Sequence, residues 1–181
     1  MHNKLKYIDV IVPLSVKGVF QYSVNKDLII DVGQRVIVQF GARKLYTAIV
    51  VNISDKKTTK HKLKNILSSL DDSPIVNIFQ IKLWSWIAKY YMSNLGEIMN
   101  TALPSSLKLA SESRIIFNDE KLINKNLSTR EQKVLELIKN SKSVTVRQIN
   151  NKLSISDSFS VINQLIKKDI VTVHEHISEK Y

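Results

Sequence analysis

The sequence predicts an α+β fold: an N-terminal β-rich partial barrel with a C-terminal helix pair, followed by a small three-helix domain. Three observations predict it. Apolar and polar residues alternate in four short runs before position 54, the two-residue period of half-buried strands. After Leu70 the apolar spacing changes to steps of three and four, the period of a helix. A stretch rich in Ser, Lys and Asn then separates this half from further amphipathic segments. The expected division is a domain over 1–106, a linker carrying one strand over 107–127, and a second domain over 128–181.

In Tyr7–Val12, Ile8, Val10 and Val12 alternate with Asp9 and Ile11, and Val19–Val24 sets Phe20, Tyr22 and Val24 against Gln21 and Ser23. Pro13 and Gly18 permit a turn between them. Gly33 opens Gln34–Phe40, where Val36, Val38 and Phe40 alternate with Arg35, Ile37 and Gln39. Leu45–Ile53 is expected to hold Leu45, Thr47, Ile49, Val51 and Ile53 on one side. Four closely joined strands make a small antiparallel sheet or partial barrel.

Asp71-Asp72-Ser73-Pro74 reads as a helix start, with Asp72 or Ser73 as the cap and Pro74 at the first helical position. Phe79, Leu83, Trp86 and Tyr90 follow at helical spacing, widened by Ile78, Ile81, Ile87 and Tyr91, and this stripe is expected to be core. Gly96 is expected to end or bend that helix. A second short one runs from Glu97 to Leu103, before Pro104. Ile115-Ile116-Phe117 is the strand of the linker. Ser128 and Glu131 have capping-box spacing ahead of Val134, Leu135 and Ile138. Val146–Leu153 and Ser156–Lys168 supply two more helices, and Ile170–His174 a strand. Three helices followed by a strand outline a winged helix, a relative of the helix-turn-helix found mostly in nucleic-acid-binding proteins.

Absent residue types remove whole classes of chemistry. Without cysteine there is no disulfide framework, thiolate zinc site, iron–sulfur cluster or cysteine nucleophile. The glycines at 18, 33, 41 and 96 stand too far apart for a phosphate-cradling loop, so ATP hydrolysis is not expected of these residues. No motif arranges a nucleophile with a base, and His174 and His176, on one face of a strand, lack a third metal ligand. No apolar run approaches the roughly 20 residues that span a bilayer, and Met1–Tyr7 lacks a signal-peptide core, so a cytoplasmic location is expected. No heptad or long apolar edge asks for a partner copy, and a monomer is expected.

Charge points to a partner. The formal net charge is +11, and the excess is densest where Arg43, Lys44, Lys56, Lys57, Lys60, Lys62 and Lys64 face only Asp55. Nucleic acid is the leading anionic partner. Phe20-Gln21-Tyr22 places two aromatics around an amide on a strand, a composition suited to stacking a nucleobase, although alternating aromatics also serve as core.

Ordered motifs across Tyr7–Ser106 carry a resemblance. They are Val10-Ile11-Val12-Pro13-Leu14, Phe20-Gln21-Tyr22, Gly33-Gln34-Arg35-Val36-Ile37-Val38-Gln39-Phe40-Gly41, Ile49-Val50-Val51, Leu63-Lys64, Tyr90-Tyr91, Leu95-Gly96-Glu97-Ile98 and Ala102-Leu103-Pro104. In that order they resemble the PriA family, the bacterial replication-restart helicases. The resemblance implies that the first domain is the family's 3′-DNA-binding domain and the second its winged helix. It implies a pocket for the terminal nucleotide at Phe20, Gln21, Tyr22, Gly41 and Lys64. Phe20 or Tyr22 would pack on the base, Gln21 would hydrogen-bond the nucleotide, Gly41 would allow close backbone approach, and Lys64 would pair with a phosphate. Arg43, Lys44, Lys60 and Lys62 are the further phosphate contacts expected. Gln21, Gln39 and Ala48 stand where the family usually has Asp, Pro and often Gly.

The resemblance further implies an N-terminal fragment of an ATP-dependent 3′→5′ DNA helicase, itself a binder of forked or single-stranded DNA with a free 3′ end. No cofactor is expected here; ATP, Mg and Zn belong to family regions this sequence does not contain. Single-strand-binding protein and primosome proteins are the implied protein partners. Two other readings stand beside it. A winged-helix transcription regulator would read bases from Ser156–Lys168, where Asn163, Gln164, Lys167 and Lys168 are the main contact-capable residues. A basic ribosome-associated protein would explain the charge but not the ordered motifs.

Overall fold

The computed structural model describes residues 6–24, 28–41, 44–59, 62–110, 113–118, 126–141, 143–153 and 158–174. The chain divides into two compact units, Met1–Pro104 and Ser105–Tyr181. No helix among the described residues is long and apolar enough to cross a membrane.

In the first unit β1 (Lys6–Ile11), β2 (Phe20–Val24), β3 (Arg35–Phe40), β4 (Lys44–Ser54) and β5 (Ser68–Ser69) form one antiparallel sheet in the order β2-β1-β4-β3-β5. The first four fall where the alternation read from the sequence places strands. β5 is two serines and carries no period to read. The residues around it close the sheet on itself: Ser23 N donates to Lys64 O at 3.0 Å and Ile66 N to Ser23 O at 3.1 Å, while Leu67 N donates to Ile37 O and Leu70 N to Arg35 O. One short stretch thereby satisfies the edge of β2 and the edge of β3, which curls the sheet into a partial barrel.

The inner face carries Ile8, Val10, Tyr22, Val24, Val36, Val38, Ala48 and Val50. On the outer face Ile11 and Ile49 join Val76, Ile81, Trp84 and Met99 in a second cluster. β1 and β4 change register between Asp9 and Val10: Asp9 pairs with Asn52 and Val10 with Val50, leaving Val51 as an extra residue. A bulge of this kind breaks the two-residue period. The row from Leu45 to Ile53 is therefore split, with Ile49 and Val51 in the outer cluster and Ile53 against the inner one.

The helix pair is α1 (Ile78–Tyr90) and α2 (Leu95–Ala102). Its start corrects the sequence reading. The cap is Asn77, whose side chain accepts from Gln80 N while Gln80 Oε1 accepts from Asn77 N, both at 2.9 Å. Asp71 is engaged elsewhere: its carboxylate accepts from Arg35 Nη2 at 2.6 Å, from Arg35 Nε at 2.9 Å and from Arg35 N at 3.1 Å. The Arg35 and Asp71 side chains are 2% and 5% exposed, a buried structural pair, and the expected cap residues Asp72 and Ser73 and the expected first position Pro74 all precede a helix that begins only at Ile78.

The expected core stripe is also corrected. Phe79, Leu83, Trp86 and Tyr90 are 75%, 53%, 59% and 67% exposed, and the buried residues of α1 are Ile81, Trp84 and Ala88. Both sets obey helical spacing because α1 is apolar on more than one face, so periodicity alone does not choose between them. The face toward Ile11, Ile49 and Met99 is the one buried. Gly96 neither ends nor bends α1 but lies inside α2, where a Cβ would stand 2.3 Å from the carbonyl oxygens of Val12 and Leu14. Glu97 receives Asn94 N at 2.8 Å, and that bond is the main cause holding its carboxyl below the ordinary value.

The second unit contains β6 (Arg114–Phe117), α3 (Thr129–Lys139), β7 (Val144–Thr145), α4 (Val146–Leu153), α5 (Ser158–Lys167) and β8 (Val171–His174), with sheet order β7-β6-β8. The strand expected within 107–127 is the middle strand of that sheet, its backbone groups paired on both sides. Its Ile115 is buried, as are Val134, Leu135, Ile138, Ile149, Phe159, Ile162 and Leu165 of the three helices. This is a winged helix. Ser128 and Glu131 form the capping box, with Ser128 N donating to Glu131 Oε2 at 2.7 Å. Lys168 Nζ donates to the same carboxylate, to Oε1, at 2.7 Å.

Two outcomes follow from these ion pairs. Asp71→Ala strands a buried guanidinium and is expected to lower the unfolding free energy by about 3–5 kcal/mol in denaturant titration; a loss under about 1 kcal/mol would contradict a supporting role for the pair. In Glu131, burial opposes ionisation, but the bond and charge of Lys168 and the bonds to Ser128 outweigh it and depress the carboxyl pKa. A depressed acid adds stability that is present above its unfolded value of about 4.3 and is lost as pH falls through the lower folded value. Urea unfolding followed from pH 7 to pH 3 is expected to show a smaller acid-side loss in Glu131→Gln than in the wild type.

Candidate nucleic-acid interface

β2 sets the residues of the site on its two faces. Phe20 and Tyr22 point to the inner side, where the Phe20 ring meets Phe40 edge-on with centroids 4.7 Å apart. Tyr22 is only 5% exposed and its hydroxyl donates to Gln39 O at 3.1 Å. Burial raises its pKa. Gln21 belongs to the other face. Its Oε1 accepts from Thr58 N at 2.8 Å and its Nε2 donates to Lys56 O at 3.3 Å, so the amide holds the loop after β4 from both ends.

The opposite wall is the turn after β3. Gly41 there has φ +68°, a conformation that a side chain disfavours. Its carbonyl oxygen accepts from Lys64 Nζ at 2.7 Å, and the Lys64 carbonyl is itself held by Ser23 N. The lysine thus ties the turn to the closing stretch beside β2.

Between these walls lies an open cavity of about 540 Å³, within the roughly 300–1,000 Å³ of small-ligand sites. Phe20, Gln21, Tyr22, Gly41 and Lys64 all line it, so the five pocket residues named from the sequence are brought to one place. Of the expected phosphate contacts, Lys62 lines the cavity, Lys44 is exposed at the start of β4, and Arg43 and Lys60 lie outside the described residues. Sequence reasoning passed over Asp9, Phe40, Thr58, Thr59 and Leu63, which also line it. Asp9 had a legible signal: it is a charged residue within the apolar run Ile8–Ile11, and antiparallel pairing sets it opposite Gln21.

Chemically the cavity combines an exposed lysine rim, a partly accessible aromatic edge, backbone carbonyls and one carboxylate. That set suits a nucleotide: cations for phosphate, an aromatic for a base and acceptors for a sugar hydroxyl. On the winged helix, two of the four contact-capable residues near α5 are spent internally. Asn163 is 3% exposed, and Lys168 is bound to Glu131 and to Asn126 O. Of the two histidines, His174 ends β8 and His176 lies outside the described residues.

The sequence matches two family models, one described as a 3′DNA-binding domain of PriA over residues 9–104 and one as a winged helix domain over residues 112–176. Among curated proteins it is 33% identical over 105 residues to the replication restart protein PriA of Haemophilus influenzae, covering 58% of this chain and 14% of that protein. It is 25% identical over 146 residues to the PriA of Rickettsia prowazekii, covering 78% of this chain and 22% of that one. A 102-residue match to the PriA of Buchnera aphidicola is 26% identical, covering 56% of this chain and 14% of the relative. The chain therefore spans less than a quarter of the length of these relatives.

Proposed function

This chain belongs to the PriA 3′-DNA-binding-domain family, and from that membership we propose that it binds branched or single-stranded DNA by capturing the 3′ end of a strand, without regard to base sequence. The observation that carries the proposal is the convergence of Phe20, Gln21, Tyr22, Gly41 and Lys64 on one cavity beside exposed lysines. A pocket captures an end more readily than a continuous chain, because a strand that stops can enter with its last sugar first. The burial of Tyr22 favours Phe20 as the ring that meets the terminal base. Lys62 and Lys64 would meet phosphates, with Lys44 on the same basic rim. In a longer protein of the kind its relatives represent, this binding would deliver the fork to an ATP-dependent 3′→5′ helicase and to primosome assembly, where ATP, Mg and Zn would act. Single-strand-binding protein and primosome proteins are the protein partners this reading implies. The sequence-reading regulator is disfavoured by α5, which leaves Gln164 and Lys167 as the exposed members of its expected contact set.

The direct test compares a linear single strand with a covalently closed circle of the same sequence, by fluorescence anisotropy at several salt concentrations. Tighter binding of the linear strand is expected; equal affinity would defeat end capture. Phe20→Ala is expected to weaken linear-strand binding by about 1–3 kcal/mol, the range for loss of one stacked base. Lys64→Ala is expected to reduce the magnitude of the salt slope by about 0.7, one phosphate's share on a single strand, and an unchanged slope would remove Lys64 from the phosphate contacts.

A further inference from the structure

A second cavity adjoins the first across the turn that leads into β2. Lys17 and Gly18 line it, while the next two residues, Val19 and Phe20, line the first. It measures about 640 Å³, room enough for a nucleotide. Its other wall is the end of α1 and the start of α2, where Ala88, Met92 and Leu95 supply apolar surface and Lys89 a second cation. Both lysines are exposed, and no acidic side chain among the described residues lines the space. Glu97, the acid of α2, instead accepts from the Asn94 backbone.

Lys89 also borders the exposed stripe of α1. There Trp86 and Tyr90 stack with centroids 5.3 Å apart and planes 21° from parallel, Tyr91 meets Tyr90 edge-on, and Lys82 lies over the Phe79 ring. α1 has lysines at 82 and 89 and no acid. From Phe79 to Tyr90 the stripe runs about 16 Å at a helical rise of ~1.5 Å per residue, the length of about five nucleotides at the ~3.4 Å spacing of stacked bases. Lysine is depleted from the apolar centre of protein interfaces. Exposed rings interleaved with cations instead suit a single strand, because every base has a face to stack and every nucleotide a phosphate.

We propose that a strand whose end lies in the first cavity continues past Gly18 into the second and onto the aromatic face of α1, so that the first unit holds a run of single-stranded DNA upstream of the end. Lys17 and Lys89 take phosphates in the second cavity, and Trp86 stacks on a base beyond it. Gly18 sits between the two cavities and has no side chain to bar the way. The direction of this path rests on the end-capture reading above. One consequence is that affinity depends on how much unpaired strand precedes the end: an end preceded at once by duplex is held by the first cavity alone.

The test uses the full chain with two oligothymidines, one of about three nucleotides that fills the first cavity and one of about ten that also spans the stripe. Binding is read by anisotropy and by tryptophan emission. Trp84 is buried and Trp86 exposed, so a change of emission reports on α1. The long strand is expected to bind about tenfold tighter than the short one and to quench Trp86, the short one to leave the emission unchanged. Trp86→Ala is expected to bring the long strand down to the affinity of the short one, whose retained binding shows that the variant is folded. Lys17→Ala combined with Lys89→Ala is expected to reduce the magnitude of the salt slope by about 1.4, two phosphates' share, for the long strand alone. Equal affinity for both lengths, or a long strand that binds Trp86→Ala as it binds the wild type, would overturn the path. A linear strand preferred over the closed circle without any quenching would overturn it too and leave end capture standing. A closed circle that quenches Trp86 and binds as tightly as the long linear strand would do the reverse, supporting the path and defeating end capture.

Discussion

The first unit depends on how the stretch from Lys64 to Asp71 is held. Its backbone pairs with β2 through Ser23 and with β3 through Ile37 and Arg35, and it ends in the Asp71 carboxylate that neutralises the buried Arg35. A guanidinium at 2% exposure is tolerable only with its charge and hydrogen-bonding capacity met. Meeting it with a residue beyond β5 fixes the end of the closing stretch, and the stretch in turn fixes Lys64 against Gly41. A structural pair buried in the sheet and a lysine at the rim of the cavity are thus two ends of one constraint.

The cavity owes its character to the edge of β2. A strand paired on one side along its length, and on the other only at Ser23, presents residues of both faces to the same space. Phe20 and Tyr22 reach it from the apolar side and Gln21 from the polar side, with Asp9 beside it on β1. The bulge between Asp9 and Val10 divides the outer face of the sheet at this point: beyond it Ile11, Ile49 and Val51 belong to the cluster under the helices, and before it Asp9 and Asn52 stay outside that cluster. One extra residue, Val51, separates the packed part of the face from the part that Asp9 shares with the cavity.

Much of this was legible. The strands β1 to β4 announce themselves because their inner-face residues alternate with residues of another kind or another cluster, which keeps the two-residue period visible. The Ser128–Glu131 capping box is legible because its bonds are local, made within four residues. The resemblance carried by the ordered motifs pointed to five residues that line one cavity. Illegible were the features that depend on partners distant in sequence. Asp71 reads as part of a helix start until Arg35 is seen beside it. Lys168 reads as a contact on α5 until Glu131 is placed next to it.

α1 shows the boundary most plainly. Its composition and spacing determined that these thirteen residues form an apolar helix, since both possible faces satisfy the same period and neither contains a breaker. Which face is buried was decided by tertiary structure alone, because the outer cluster around Ile11, Ile49 and Met99 accommodates Ile81 and Trp84 and leaves the Phe79–Tyr90 stripe to solvent. The same holds for the site: residue types and order are properties of the chain, whereas the meeting of Asp9, Gln21, Gly41 and Lys64 requires the sheet to close. Local bonds and burial periodicity are written along a sequence; contacts between positions tens of residues apart exist only once the backbone has brought them within hydrogen-bonding distance.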